Sequence, residues 1–233
     1  MADCRIAGLW SKGTPDMELF LQNKLNADGK LDMKSLAVLA LHWQNDLVLP
    51  DGKFGFFAKE IERNGLVPRM ARVLKAVRAA GGTVIYVNVA RSADSREVIK
   101  NSPLFAASAK VAAFVRGTYG AQVIDALRPE PEDFEVEHPR ISAFFGNNLD
   151  LLLRARQIET VVVAGTATNV AIDTSVRDAL QLGYQTILLE DCCCSSEPSF
   201  HEAAMKTLRV LATWVASTEE FLARVGNQGS GQD

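Results

Sequence analysis

Histidine and cysteine are scarce in this 233-residue sequence, with three and four copies respectively, and the placement of the cysteines excludes most of what cysteine usually does. Cys4 stands alone, and Cys192, Cys193 and Cys194 are consecutive. Neighbours on an extended segment point to opposite faces, so the run is neither a disulfide framework nor a CxxC metal knuckle. Small, buried, inert thiols are expected. Basic clusters are also missing. The net charge is −3 and the pI near 5.7, and the basic residues scatter along helix faces such as "RMARVLKAVR", so no nucleic-acid partner is expected. No apolar run reaches the length of a membrane span, and "MADCRIAGLWSKGTPD" has no apolar signal core. No membrane partner and a cytoplasmic location are therefore expected. Phosphate cradles are absent too: neither GxGxxG nor GxxxxGKS/T occurs, so no nucleotide cofactor, and no cofactor of any kind, is expected. No GxSxG elbow offers a serine nucleophile.

What is present reads as one ordinary globular domain, 48% hydrophobic and 23% charged. Six apolar runs have strand length: Leu36–Leu41, Thr83–Val89, Phe134–Val136, Thr160–Ala164, Gln185–Leu189 and Thr213–Ala216. Most are apolar on both faces, as strands covered from both sides should be. Helical stripes lie between them. Leu66, Met70, Val73, Leu74 and Val77 make one that stops at Gly81, and Ile172, Val176, Ala179 and Leu180 make another that stops at Gly183. "SFHE" at Ser199–Glu202 fits a capping box before Ala203–Leu211. The alternation implies an α/β, doubly wound, three-layer Rossmann-like fold with a mainly parallel six-stranded sheet. Residues 34–225 would form it, with 1–33 an appendage carrying a short amphipathic stretch at 17–25, and 226–233 a flexible, polar, Gly-rich tail. Ligands in such sheets bind at the carboxyl ends of strands. That places His42, His138 and the turn "GTATNVA" at Gly165–Ala171 in one neighbourhood.

Four stretches carry a resemblance: "AVLALHWQND", "GTYGAQVIDALRPEPEDFEVEHPRISAFFGNNLDLLL", "VVVAGTATNVAIDTSVRDALQLGYQTILLEDCC" and "FHEAAMKTLRVLATWVASTEEFL". In order and spacing, from about residue 35 to residue 223, they resemble the isochorismatase-like cysteine hydrolases, which include nicotinamidases, carbamoyl-amidases and isochorismatases. The resemblance implies an Asp at the end of the first strand, a Lys four residues before the Ser of "SAF", and a Cys six residues after the Gly of the turn. Here those places hold His42, His138 and Ala171. In the family the thiolate, formed at a helix start, attacks a carbonyl. Ala171 has no lone pair, which rules out that covalent step. Isochorismatases carry a small residue at the Cys place and cleave a vinyl ether without a covalent intermediate, but through an Asp, where this chain has His42.

Two of the three histidines thus occupy the family's acid–base places. Imidazole exchanges protons near neutral pH, so His42 and His138 are candidates for proton transfer on a small carbonyl or carboxylate compound. The resemblance further implies that the amides of Ala167 and Ala171 hold an oxyanion across a non-proline cis peptide in the turn. Thr166 and Phe144 are expected to line the same pocket, while Trp43 faces away by strand alternation. The competing interpretation is decay of an old site into a binding or oligomeric scaffold. An engineered Cys-to-Ala change at Ala171 would leave the two histidines unaccounted for. No metal is expected: two imidazoles are too few, Asp46 in "QND" more often caps its turn, and Asp51 has no histidine beside it. His201 is expected to be structural, and Tyr119 a lid, a subunit contact or plain surface. The implied partners are a small-molecule ligand and a second or further copies of the chain, as homodimer or homotetramer. The loops at Ala90–Val115 carry no readable motif.

Overall fold

The structure, a computed structural model, describes residues 25–226. The expected amphipathic stretch at 17–25 and the tail at 226–233 lie, except for Leu25 and Gly226, outside the described residues. Six strands form one sheet: β1 (Leu36–Leu41), β2 (Thr83–Val89), β3 (Phe134–His138), β4 (Thr160–Thr166), β5 (Gln185–Cys194) and β6 (Trp214–Ala216). Every pairing is parallel, and the spatial order is β3-β2-β1-β4-β5-β6. The doubly wound parallel sheet is what the strand–helix alternation implied.

Alternation along β1 sorts its side chains between two cores. Val38 and Ala40 join one, with Val84, Tyr86, Val162 and Ile187. Ala37, Leu39 and Leu41 join the other, with Ile85, Val87, Val161 and Val163. All six residues of β1 are buried, which is why the strand reads as a continuous apolar run rather than an alternating one. Each fully buried Leu or Val contributes about 1.5–3 kcal/mol, so the sheet is the rigid frame that holds the strand ends.

The helices α1 (Asn45–Val48), α2 (Ala58–Arg63), α3 (Leu66–Ala79), α4 (Pro103–Lys110), α5 (Leu149–Ala155), α6 (Asp173–Gln181), α7 (Pro198–Leu211) and α8 (Thr218–Arg224) surround that frame. On one face lie α3, through Leu66, Met70, Val73, Leu74 and Val77, and α8, through Phe221. On the other lie α5, α6 and α7, through Leu149 and Leu153, Val176 and Ala179, and Met205 and Leu208. Leu180, expected in the α6 stripe, is exposed, so that stripe is narrower than its spacing suggested.

Two further expectations need correction. Ser199 does not cap α7: the helix begins at Pro198, whose ring suits a first helical position, and Glu197 is the cap residue with no side-chain bond. The capping box sits instead at Ser217 and Glu220, before α8. Strand β5 runs on through the cysteines, with Cys192 and Cys194 in one core and Cys193 in the other. Burial pushes the Cys192 and Cys194 thiols up to about 12, so they are inert, as expected.

Candidate functional site

The order of strands reverses between β1 and β4, and at such a switch point a doubly wound sheet opens a crevice beyond the strand ends. His42 follows β1 directly. Its amide donates to the Val87 carbonyl at 3.0 Å, and its φ of 60° turns the chain out of the strand in the left-handed region that histidine tolerates better than most residues. Beside it, the next-to-last residue of β4 is Gly165, whose φ is 137°. A Cβ there would meet the Leu41 carbonyl oxygen at 2.0 Å, so only glycine lets β4 approach β1 this closely. The Thr166–Ala167 peptide is cis, the bond expected in this turn. A π-helical turn over Thr168–Ile172 follows and presents Ala171 at the start of α6.

The two imidazoles meet. His42 Nε2 lies 2.7 Å from His138 Nε2. The rings are 9° from parallel with centroids 4.9 Å apart, and since the nitrogens are the closest atoms, they lie end to end in nearly one plane. The outer nitrogens face carbonyls: His42 Nδ1 lies 2.8 Å from Thr166 O, and His138 Nδ1 lies 3.0 Å from Ser142 O. A carbonyl only accepts, so each Nδ1 must donate to complete its bond. The bond between the two Nε2 atoms needs a further hydrogen. Three bonds therefore call for three protons, while two neutral rings carry two.

Burial decides which state holds at neutral pH. It pushes His42 down to about 3, with the charge of His138 adding to the fall and the Thr166 carbonyl opposing it. It pushes His138 down to about 4, against the carbonyls of Ser142 and Arg140. The pair is therefore neutral at pH 7 and lacks one hydrogen. A single proton delivered to it would complete the network.

A cavity of about 140 Å³ opens over this floor. His42, Ala167 and Ala171 line its base, and Phe54, Phe56, Phe105 and Phe114 stand in its walls. The segment 90–115, which includes α4, supplies much of the rest, with Arg91 and Val98 from its loop and Leu104 from the helix. Two contributors sit behind the wall: His138, 1% exposed, reaches the cavity only through His42, and Thr166 contributes its carbonyl while its side chain is buried. Phe144 is a correction. It is absent from the wall, and its ring packs on Tyr184 at 6.0 Å against the core beneath α5 and α6.

The remaining candidates support the site from outside. Trp43 is buried packing, as expected, but strand alternation does not place it: it joins the core of Val38 and Ala40 rather than that of Leu39 and Leu41, because the left-handed turn at His42 ends the alternation. The Asp46 carboxylate accepts from the Phe114 amide at 2.7 Å and the Lys53 amide at 3.3 Å, so it ties two cavity loops to α1 rather than merely capping its own turn. His201 Nδ1 meets Thr168 Oγ1 at 2.8 Å and so pins the turn to α7. Tyr119 is exposed, and its carbonyl accepts from Asn45 Nδ2. No group of three or more metal-ligating side chains occurs among the described residues. Nor is any described helix long and apolar enough to cross a membrane.

Sequence reasoning missed two residues. Gln44 bonds both the amide and the carbonyl of Val89, at 2.9 and 2.8 Å, and the Ala121 carbonyl at 2.8 Å, clamping the strand ends. Arg91 enters the cavity wall two residues beyond β2. A charge immediately after an apolar parallel strand was the available signal for it.

A model of the isochorismatase domain matches residues 36–220 of the chain. The ureidoacrylate amidohydrolase RutB of Caulobacter vibrioides is 30% identical over 215 residues, spanning 86% of this chain and 96% of that protein. Among solved structures, an isochorismatase family protein from Desulfovibrio vulgaris is 29% identical with a TM-score of 0.72, covering 82% of this chain and 99% of that one. A cysteine hydrolase from Pseudomonas syringae pv. phaseolicola is 25% identical with a TM-score of 0.75, covering 84% and 94%.

Proposed function

This chain belongs to the isochorismatase family, and on that premise we propose that it acts on a small carbonyl or carboxylate compound by proton transfer, without a covalent intermediate. The observation that carries this is the 2.7 Å contact between His42 and His138 at the base of the cavity, one proton short of a complete network. In the proposed step the His42 ring swings its Nε2 off His138 and takes a proton from a water. That water adds to the ligand carbonyl, whose π electrons move onto its oxygen, and the proton passes into the bond between the two rings; collapse of the adduct then breaks the bond to the leaving group, which takes that proton and restores the neutral pair. The amides of Ala167 and Ala171 receive the developing oxyanion. Ala171 offers a methyl where a thiol would attack, so hydrolysis of a ureidoacrylate through an S-carbamoyl intermediate is not expected of this chain. The cavity wall holds no cysteine among the described residues, and its serine, Ser108, accepts a hydrogen bond from Arg91.

A second reading has an observation of its own. All four ring nitrogens already face protein partners, which suits a pocket kept for recognition alone. Turnover separates the two. A panel of small ureido acids, amides and enol ethers should include a compound whose conversion is lost on His42→Ala and on His138→Ala, both variants remaining folded by circular dichroism. Binding of panel members with no conversion of any would favour recognition. An acyl adduct on the protein, seen by mass spectrometry, would defeat the non-covalent route.

A further inference from the structure

Arg91 is 3% exposed, and its burial is unusual because two of its guanidinium nitrogens have nothing to bond. Nη2 donates to Ser108 Oγ, while Nε and Nη1 are buried without an acceptor. The backbone holds the residue firmly: its amide donates to Phe114 O at 3.1 Å, and its carbonyl accepts from Arg116 N at 2.9 Å. The side chain is therefore placed by design of the loop pair rather than left to find a partner. Nearby carboxylates do not supply one. Glu97 accepts from the Ser92 amide and hydroxyl and lies 3.5 Å from Arg116, and Asp46 accepts from Phe114 and Lys53. Neither makes an ion pair with Arg91.

An arginine cannot shed its charge to escape this position, since guanidinium stays protonated even where burial lowers its pKa, as it does here. A buried cation without a counter-charge is unfavourable unless something completes it. The rest of the cavity wall is mostly apolar, with Phe54, Phe105, Phe114, Val98 and Leu104, and its two other charged side chains are already engaged: Arg140 with Ile99 O and Asn101 Oδ1, Glu97 with Ser92. An anion entering that cavity meets in Arg91 a cation with two unbonded nitrogens in largely apolar surroundings, where charge-assisted bonds are strong.

We propose that Arg91 is the carboxylate anchor of the cavity, and that the ligand is a small monocarboxylate whose apolar body lies among the phenylalanines. Nη1 and the second hydrogen of Nη2 form the end-on fork that fits a carboxylate. The ligand's other end then lies toward His42, Ala167 and Ala171. The cavity volume of about 140 Å³ is close to the ~150 Å³ of one that takes a benzene ring, which sets the size of the body at about one ring or a short branched chain. The assignment rests on the cavity being the ligand site proposed above, but not on proton transfer at His42.

The test is calorimetric titration of the full chain with benzoate, phenylacetate and 4-methylpentanoate, each paired with its primary amide as a neutral isostere. At least one acid should bind at millimolar concentration or better, and at least about tenfold more tightly than its amide. In Arg91→Met that preference should vanish, and Arg91→Lys should restore part of it. Should Arg91→Met fail to fold, the acid–amide comparison on the unaltered chain decides alone. Equal binding of acid and amide, no binding by any of the three acids, or an undiminished preference in Arg91→Met would overturn the assignment. His42→Ala should keep the acid preference. Loss of turnover in His42→Ala with binding intact therefore bears on the reaction, while loss of the preference in Arg91→Met bears on the anchor.

Discussion

The floor and the wall of the cavity are built by different means. The floor comes from strand ends: His42 closes β1, His138 closes β3, and the turn after β4 brings Ala167 and Ala171. Its polar atoms are placed by a sheet whose residues are buried on both faces, and each imidazole nitrogen has a partner. The wall comes from the loops around the sheet and from α4. It is mostly aromatic and aliphatic, and its buried cation, Arg91, is left with two unpaired nitrogens. Every ring nitrogen of the floor faces a protein partner, though the network is one hydrogen short, whereas the wall's arginine keeps two nitrogens with no partner at all.

The pH dependence of stability probes the floor most strongly. Both imidazoles fall below the ordinary 6.5, to about 3 and about 4, so below pH 6.5 the unfolded chain binds protons that the folded chain does not. The stabilising contribution is fully present above pH 6.5 and is lost as the pH falls toward 4, by about 1.4 kcal/mol per pH unit for each histidine. Urea denaturation across that range should show the loss in the parent chain, and a His42→Asn, His138→Asn double variant should flatten it. Parallel curves would mean the rings titrate as if exposed.

The frame itself is tested next. Gly165→Ala would set a methyl against the Leu41 carbonyl at 2.0 Å with φ at 137°, and should cost about 3 kcal/mol or more, or prevent folding. An unchanged denaturation midpoint would show that β4 can move away from β1, and that the floor is less rigid than described. The smallest effect belongs to Phe144. Its ring stacks on Tyr184 outside the cavity, so Phe144→Leu should lower stability by about 1 kcal/mol and leave ligand affinity unchanged. A fall in affinity would return Phe144 to the wall.

The same division explains what the sequence revealed. Strands that are apolar on both faces announce a covered parallel sheet, and the rule that ligands sit at carboxyl strand ends was enough to bring His42, His138 and the Gly165–Ala171 turn together. Side chains reached through a loop had no such rule. Phe144 lies two residues past Ser142 in an irregular segment, where alternation does not fix direction, and it turned to Tyr184. Arg91 lay in a stretch with no period at all. Ser199 matched a capping pattern, but Pro198 occupies the first position of the helix, so the serine lies inside it. The distance between the two imidazoles, and hence the missing proton, depends on the lateral spacing of β1 and β3 across β2. No linear pattern encodes that.

The claim beneath all of this is that two buried rings share a contact that is one proton short, and nitrogen-15 NMR of the imidazoles reads it directly. The account expects both rings neutral at pH 7, each Nδ1 carrying hydrogen or exchanging it with the shared position, and no titration of either ring above about pH 5. An imidazole among the two that titrates near the ordinary 6.5, with no coupling to its neighbour, would contradict it.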